Sequence, residues 1–120
     1  MIEIKNLSKR FNKIEALDDL SISIKDRQVT ALWGSNGAGK TTLIRCLLGV
    51  TPFTGEIVIN KKDLRSNDKL IKRSVGFVPQ EISLHDNLTV GETINFYSKL
   101  KNTEAGSIGK LSEIIGINNF

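Results

Sequence analysis

Gly34-Ser35-Asn36-Gly37-Ala38-Gly39-Lys40-Thr41-Thr42 is the stretch that decides the fold. Its first eight residues fit G-x-x-x-x-G-K-[ST] at every fixed position. Each residue type has a physical task in that pattern. Glycines let the backbone turn tightly, so that successive N–H groups face one concavity suited to phosphate oxygens. A helix starting directly after the loop presents its unpaired N–H groups and partial positive charge to the same anion. Lys40 brings a point charge within reach of β- and γ-phosphates, and the Thr41 hydroxyl is a hard ligand for Mg²⁺. A glycine-rich turn between a strand and a helix can also be no more than a turn, so the flanks carry the decision.

Both flanks have the required form. Val29-Thr30-Ala31-Leu32-Trp33 is a nearly continuous apolar run, as expected of a strand covered on both faces in a parallel sheet. Lys40 to Leu48 carries apolar residues at helical spacing, with Gly49 placed to end the helix. Further upstream, Ile2 and Ile4 alternate with Glu3, and Leu20, Ile22 and Ile24 alternate with Ser21, Ser23 and Lys25. Both patterns predict half-buried strands. Downstream, Gly55 to Asn60 reads as a strand, Lys61-Lys62-Asp63 as a turn, and Asp68 to Arg73 as a short helix. Val75-Gly76-Phe77-Val78 is a short apolar run ended by Pro79-Gln80. Thr89 with Glu92 three residues on has the capping-box form, and Val90, Ile94, Tyr97 and Leu100 then make one apolar face. A last helix holds Ile108, Leu111, Ile114 and Ile115 and stops at Gly116.

Composition narrows the class. The chain has 120 residues, 39% hydrophobic and 25% charged, which suits one globular domain rather than a disordered tail. A net charge of +4 is too mild to argue for nucleic acid. The basic residues, Lys9, Arg10, Lys13, Lys61, Lys62, Lys69, Lys72 and Arg73 among them, are scattered and form no stripe interleaved with aromatics. A single cysteine, Cys46, excludes an internal disulfide framework and fits a reducing compartment; its apolar spacing predicts burial. No apolar run approaches the roughly 18 residues of a spanning helix. The N-terminus, with an acid at Glu3 and no apolar core, is not expected to be a signal peptide.

The chain resembles the N-terminal portion of the nucleotide-binding domain of ATP-binding-cassette (ABC) transporters. GSNGAGKTT at 34–42 carries this, together with other segments in the family's order. Ile4 to Phe11 is similar to the family's opening, which ends in an aromatic. Ala16 to Ser21 resembles the stretch after it, and Thr54-Gly55-Glu56-Ile57 the strand that follows the first helix. Val75 to Glu81 resembles the Q-loop, and Asn87 to Thr93 the start of the helical subdomain. The resemblance implies an α/β fold: a partial P-loop NTPase core with an N-terminal antiparallel β subdomain and the start of an α-helical subdomain. Residues 1–80 would form the partial ATP-binding core with the β subdomain, and residues 81–120 the beginning of the helical one. It implies ATP and Mg²⁺ as cofactors, held by Phe11, Gly34, Ser35, Asn36, Gly37, Ala38, Gly39, Lys40, Thr41, Thr42 and Gln80. Phe11 would stack on adenine. Gln80, 40 residues beyond Lys40, would join Thr41 at the metal, since its side-chain carbonyl suits a hard cation. The implied partners are a second ATP-binding subunit, head to tail, and a membrane-spanning transporter subunit, with the chain at the inner face of the cell membrane and not inserted in it. Asp26-Arg27-Gln28, Trp33 and Ser35 depart from the family pattern, which puts only local turn shape and packing under the loop in question.

Several family parts are not found in the sequence: the LSGGQ signature, a Walker B strand ending in Asp-Glu, the D-loop and the switch histidine. Leu111-Ser112-Glu113-Ile114 lacks both glycines of the signature, and His85 comes too early to be the switch residue. Hydrolysis needs a water-positioning carboxylate and charge stabilisation at the γ-phosphate. Glu81 and Glu92 have the wrong context for the first, so no complete catalytic set stands in the chain. The expectation is an ATPase in the full-length family member, and binding without turnover by these 120 residues. Segment 84–100 leans toward exporter-type subunits. The alternatives are a non-transport ABC ATPase and a truncated, non-catalytic nucleotide-binding module.

Overall fold

The computed structural model describes residues 1–81, 87–103 and 105–116, the side chains at 105–107 and 112 excepted. It divides into two compact units, Met1–Gly76 and Phe77–Phe120. His85 lies outside the described residues.

The first unit is built on an antiparallel sheet. Strands β1 (Ile2–Phe11), β2 (Ile14–Ile24), β3 (Thr54–Ile59) and β4 (Lys62–Asp63) lie in the order β2-β1-β3-β4. The two strand signals at the N-terminus thus extend into one long hairpin, closed where Phe11 faces Ile14. Strict alternation would place Leu7 on the opposite face from Ile4, yet both are buried. Bulges in the β1–β2 ladder resolve this. Asn6 and Asp19 take left-handed φ values of 48° and 45°. The Asn6 side-chain amide donates to Asp19 Oδ1 at 2.7 Å. Asn6 N–H donates to Ser21 Oγ at 3.0 Å, and Asp19 N–H to Ser8 Oγ at 2.8 Å. Side chains here replace ladder bonds, and the strand re-enters the sheet with Leu7 facing inward.

Helix α1 (Lys40–Leu47) and helix α2 (Asp68–Ser74) contribute to the core of this unit. Leu43 and Cys46 from α1 and Ile71 from α2 join Ile4, Leu7, Leu17, Ile57, Ile59 and Leu64 in one buried cluster. Cys46 is fully buried, as its spacing predicts. Gly49 ends α1 with φ +64°, and Val50 N–H reaches back to the Arg45 carbonyl at 3.1 Å, the closure a left-handed residue permits. The turn read at Lys61-Lys62-Asp63 falls one residue earlier. Asn60 and Lys61, both at positive φ, make a two-residue turn, and Lys62–Asp63 pairs back on β3 as β4. Asp63 Oδ1 then accepts from the N–H groups of Arg65 and Ser66 and from the Ser66 hydroxyl. The Ser66 bonds, backbone first, hold its carboxyl below the ordinary range.

The expected buried strand at Val29–Trp33 is not formed. Residues 28–35 have no strand pairing, and Val29 and Trp33 are 102% and 97% exposed. A parallel strand takes its ladder bonds from neighbours far away in sequence, and among the described residues none runs beside this segment. For the same reason no strand forms at 75–78. The Trp33 ring therefore does not pack under the loop.

In the second unit, α3 (Val90–Lys101) starts with the full capping box: Glu92 N–H donates to Thr89 Oγ1, and Thr89 N–H to the Glu92 carboxylate. Helix α4 (Ala105–Ile114) ends at Gly116, φ +73°. The apolar periodicity predicts both helices, but Val90, Tyr97, Leu100, Leu111 and Ile114 stay exposed. Among the described residues no helix is long and apolar enough to cross a membrane.

Candidate functional site

The loop from Gly34 to Gly39 leaves the exposed segment 28–33 and turns into α1. Two glycines make the turn possible. Gly37 and Gly39 take φ values of +85° and +81°, a region that side chains with a β-carbon rarely adopt. At Gly39 there is a second reason. A β-carbon there would stand 2.3 Å from the Ala16 carbonyl oxygen and 3.0 Å from a Leu17 methyl. The start of α1 is thus pressed against β2, and only a glycine allows it. Ala38 N–H closes the turn on the Ser35 carbonyl at 3.2 Å.

Lys40 is the first residue of α1, and its side chain folds back over the loop. Its Nζ donates to the carbonyls of Gly34 and Ser35, both at 2.7 Å. The ammonium is therefore held against the loop by its backbone carbonyls. No side chain caps the helix start, and no acid stands in its first turn. The first-turn N–H groups and the helix dipole favour an anion there, with no carboxylate in that turn to compete. Thr41 is exposed and Thr42 half-buried, so the Thr41 hydroxyl is available beside the same helix start. Ser35, where the family pattern often has proline, supplies only its carbonyl. Beside the loop, a cleft of about 250 Å³ is lined by Ala16, Leu17, Trp33, Gly39, Lys40 and Leu43 among others.

These features fit a phosphate-bearing ligand. Among the described residues no cluster of three or more His, Cys, Asp or Glu could hold a metal, whereas a Thr hydroxyl with phosphate oxygens and water is an arrangement Mg²⁺ accepts.

The remaining predicted site residues fall in two places. Phe11 sits at the end of β1 in the same unit as the loop, 44% exposed, beside the left-handed Asn12 of the hairpin turn. Gln80 is exposed at a bend in the second unit. Arg27 takes φ +56° in the Asp26-Arg27-Gln28 turn, the conformation that a glycine would adopt without strain. Asp26 accepts a hydrogen bond from the Met1 amine. The approach of Ala16 to Gly39 has no signal in the sequence, since it depends on how β2 lies against a loop more than twenty residues later.

Comparison with known proteins gives a consistent result. Residues 17–119 match the sequence profile of a family described as ABC transporter. The chain is 42% identical over 101 residues to the sulfate/thiosulfate import ATP-binding protein CysA of Pseudomonas aeruginosa, covering 83% of this chain and 30% of that protein. It is 43% identical over 101 residues to the retinal-specific phospholipid-transporting ATPase ABCA4 of Mus musculus, covering 82% of this chain and 4% of that one. The chain thus spans under a third of the length of these curated relatives. Among solved structures, the ATP-binding subunit of an ABC transporter superposes with a TM-score of 0.79 at 26% identity, over 88% of this chain and 44% of that one. The dimeric bacterial ABC transporter cassette MJ0796 superposes with a TM-score of 0.74 at 29% identity, over 84% and 48%.

Proposed function

The chain belongs to the ABC transporter family, and from that premise we propose that it is the nucleotide-gripping part of a transporter's ATP-binding subunit. One observation carries the reading. Left-handed Gly37 and Gly39, the ammonium of Lys40 tied to the loop carbonyls, and an uncapped helix start free of acids stand within one short segment, and together they suit a phosphate group.

In this reading the loop N–H groups of Gly34 to Gly39 and the start of α1 at Lys40, Thr41 and Thr42 hold the β- and γ-phosphates of ATP. Thr41 and Gln80 hold Mg²⁺, which neutralises phosphate charge when bound. Phe11 stacks on the adenine. Residues 1–80 make the ATP-binding core with its β subdomain, and residues 81–120 begin the helical subdomain. The partners are a second ATP-binding subunit and a membrane-spanning subunit, with this chain on the cytoplasmic side and no nucleic acid bound. The ATP-binding subunits of the family work as ATPases, but these 120 residues bind without hydrolysing, because neither Glu81 nor Glu92 has the context of a water-positioning carboxylate. Glu92 is engaged in capping α3. An exporter-type partner rests on segment 84–100 alone. The relatives named above include both an import protein and a phospholipid transporter.

Titration with MgATP tests the reading. Lys40→Ala should weaken binding at least about tenfold, since a charge-assisted contact to phosphate is lost. An unchanged affinity would sink the site assignment. Phosphate release at enzyme-like rates from the 120-residue chain would sink the claim of binding without turnover.

A further inference from the structure

Strand β1 carries three cations, and they are partnered differently. Lys5 pairs with Glu56 across the sheet at 3.5 Å, and Arg10 with Glu15 across the hairpin at 3.8 Å. Lys9 has no carboxylate partner among the described residues. Its Nζ stands instead 4.8 Å from the centroid of the Phe11 ring. The two residues are two apart on β1, next to a register shift of the β1–β2 ladder between Lys9 and Arg10, and the folded backbone brings the ammonium to the ring. Lys9 is half-buried, unlike Lys5 and Arg10, and so does not simply extend into water.

A flat ring has two faces, and a cation on one has two effects. It fixes the ring, which is partly exposed at the tip of a hairpin and otherwise free to change rotamer. It also draws π-density toward itself, so the opposite face is less negative and repels a stacked π-system less. We propose that Lys9 is a positioning residue for Phe11: it holds one face of the ring and leaves the other open for a purine base. This rests on the reading of Phe11 as the base-stacking residue. Lys9 touches the ring, not the nucleotide, and raises affinity for the base without contributing to the grip on phosphate.

The test compares two probes on the full chain, MgATP and magnesium tripolyphosphate, the second having no base. Lys9→Met keeps the length and apolar stem but removes the charge. It should weaken MgATP binding about two- to five-fold and leave tripolyphosphate binding unchanged. Lys9→Arg should restore MgATP affinity, because guanidinium also sits over aromatic faces. Phe11→Leu is measured in parallel. If it weakens MgATP selectively while Lys9→Met does not, the role of Lys9 is overturned and the stacking reading stands. If Phe11→Leu leaves MgATP unchanged, the stacking reading fails and takes this proposal with it. Equal loss for both probes in Lys9→Met would make Lys9 a general electrostatic or structural residue and overturn the proposal.

Discussion

Gly39 and Ala16 are in such close approach that a β-carbon on the first would lie 2.3 Å from the carbonyl oxygen of the second. The glycine loop is therefore not an independent hairpin of glycines. Its exit into α1 is seated on the backbone of β2, and the β-sheet fixes where the helix begins.

Gly39→Ala should accordingly damage both fold and site. The substitution combines a left-handed φ of +81° with a backbone clash. A cost of about 1–3 kcal/mol is expected, read as a fall in unfolding temperature, with weaker MgATP binding because the loop must shift. Gly37→Ala makes the control. It has a similar φ, but nothing lies within 4 Å of its β-carbon position, so it should cost less.

Cys46 should be chemically silent in the native chain. Its side chain is fully buried, and burial pushes the thiol above its ordinary value, with Lys9 offsetting part of that rise. Thiol-reactive dye should label it slowly in buffer and fast in denaturant. Above pH 9.0, the ordinary thiol value, the unfolded chain releases a proton that the folded chain keeps. Stability should therefore fall as pH climbs from there through the raised value. Cys46→Ser puts a hydroxyl into the same apolar surroundings and should cost about 1–3 kcal/mol.

The capping box of α3 gives an acid-side counterpart. Bonds from Thr89, backbone first, hold the Glu92 carboxyl below its ordinary range. Its stabilising effect is complete above the ordinary glutamate value and is lost as pH falls through the lowered one. Helicity followed by circular dichroism should drop in that acid window, and less so in Glu92→Gln. Thr89→Ala should lower stability of α3 by about 1 kcal/mol at neutral pH. Identical acid titrations for wild type and Glu92→Gln would count against this account.

Trp33 is the single tryptophan of the chain and stands immediately before the loop. At 97% exposure it should be quenched by acrylamide nearly as readily as a free indole. MgATP should change its emission in the 120-residue chain, and Lys40→Ala should abolish that change at the same nucleotide concentration. A strongly shielded Trp33 would contradict the exposed course of 28–33.

What could be read beforehand was what is encoded locally. The left-handed glycines of the loop, the glycine ends of α1 and α4 and the Thr89–Glu92 cap each depend on residues within a few positions of one another, and each is formed in the structure. Periodicity also gave the helices and most strands. It failed at Val29–Trp33, because an apolar run states a need for neighbours without supplying them. The bulge of Asn6 and Asp19 was equally hidden. Its bonds join side chains across two strands, so no pattern along one strand reveals it, and yet it decides which way Leu7 faces. The seating of Gly39 on Ala16 and of Lys9 on Phe11 are contacts of shape that only the folded backbone defines.

The two carbonyls that hold Lys40 bear on the entropy that binding an anion at the proposed site would cost. A lysine left in solvent would have to give up about 1.5–2 kcal/mol of rotamer freedom on contact. Here that freedom is already lost when the chain folds, since Gly34 and Ser35 hold the ammonium against the loop. In the proposed site, an arriving phosphate would displace two neutral acceptors, not organise a mobile side chain. Capture there would be an exchange of hydrogen-bond partners, less entropically opposed than ordering a free lysine.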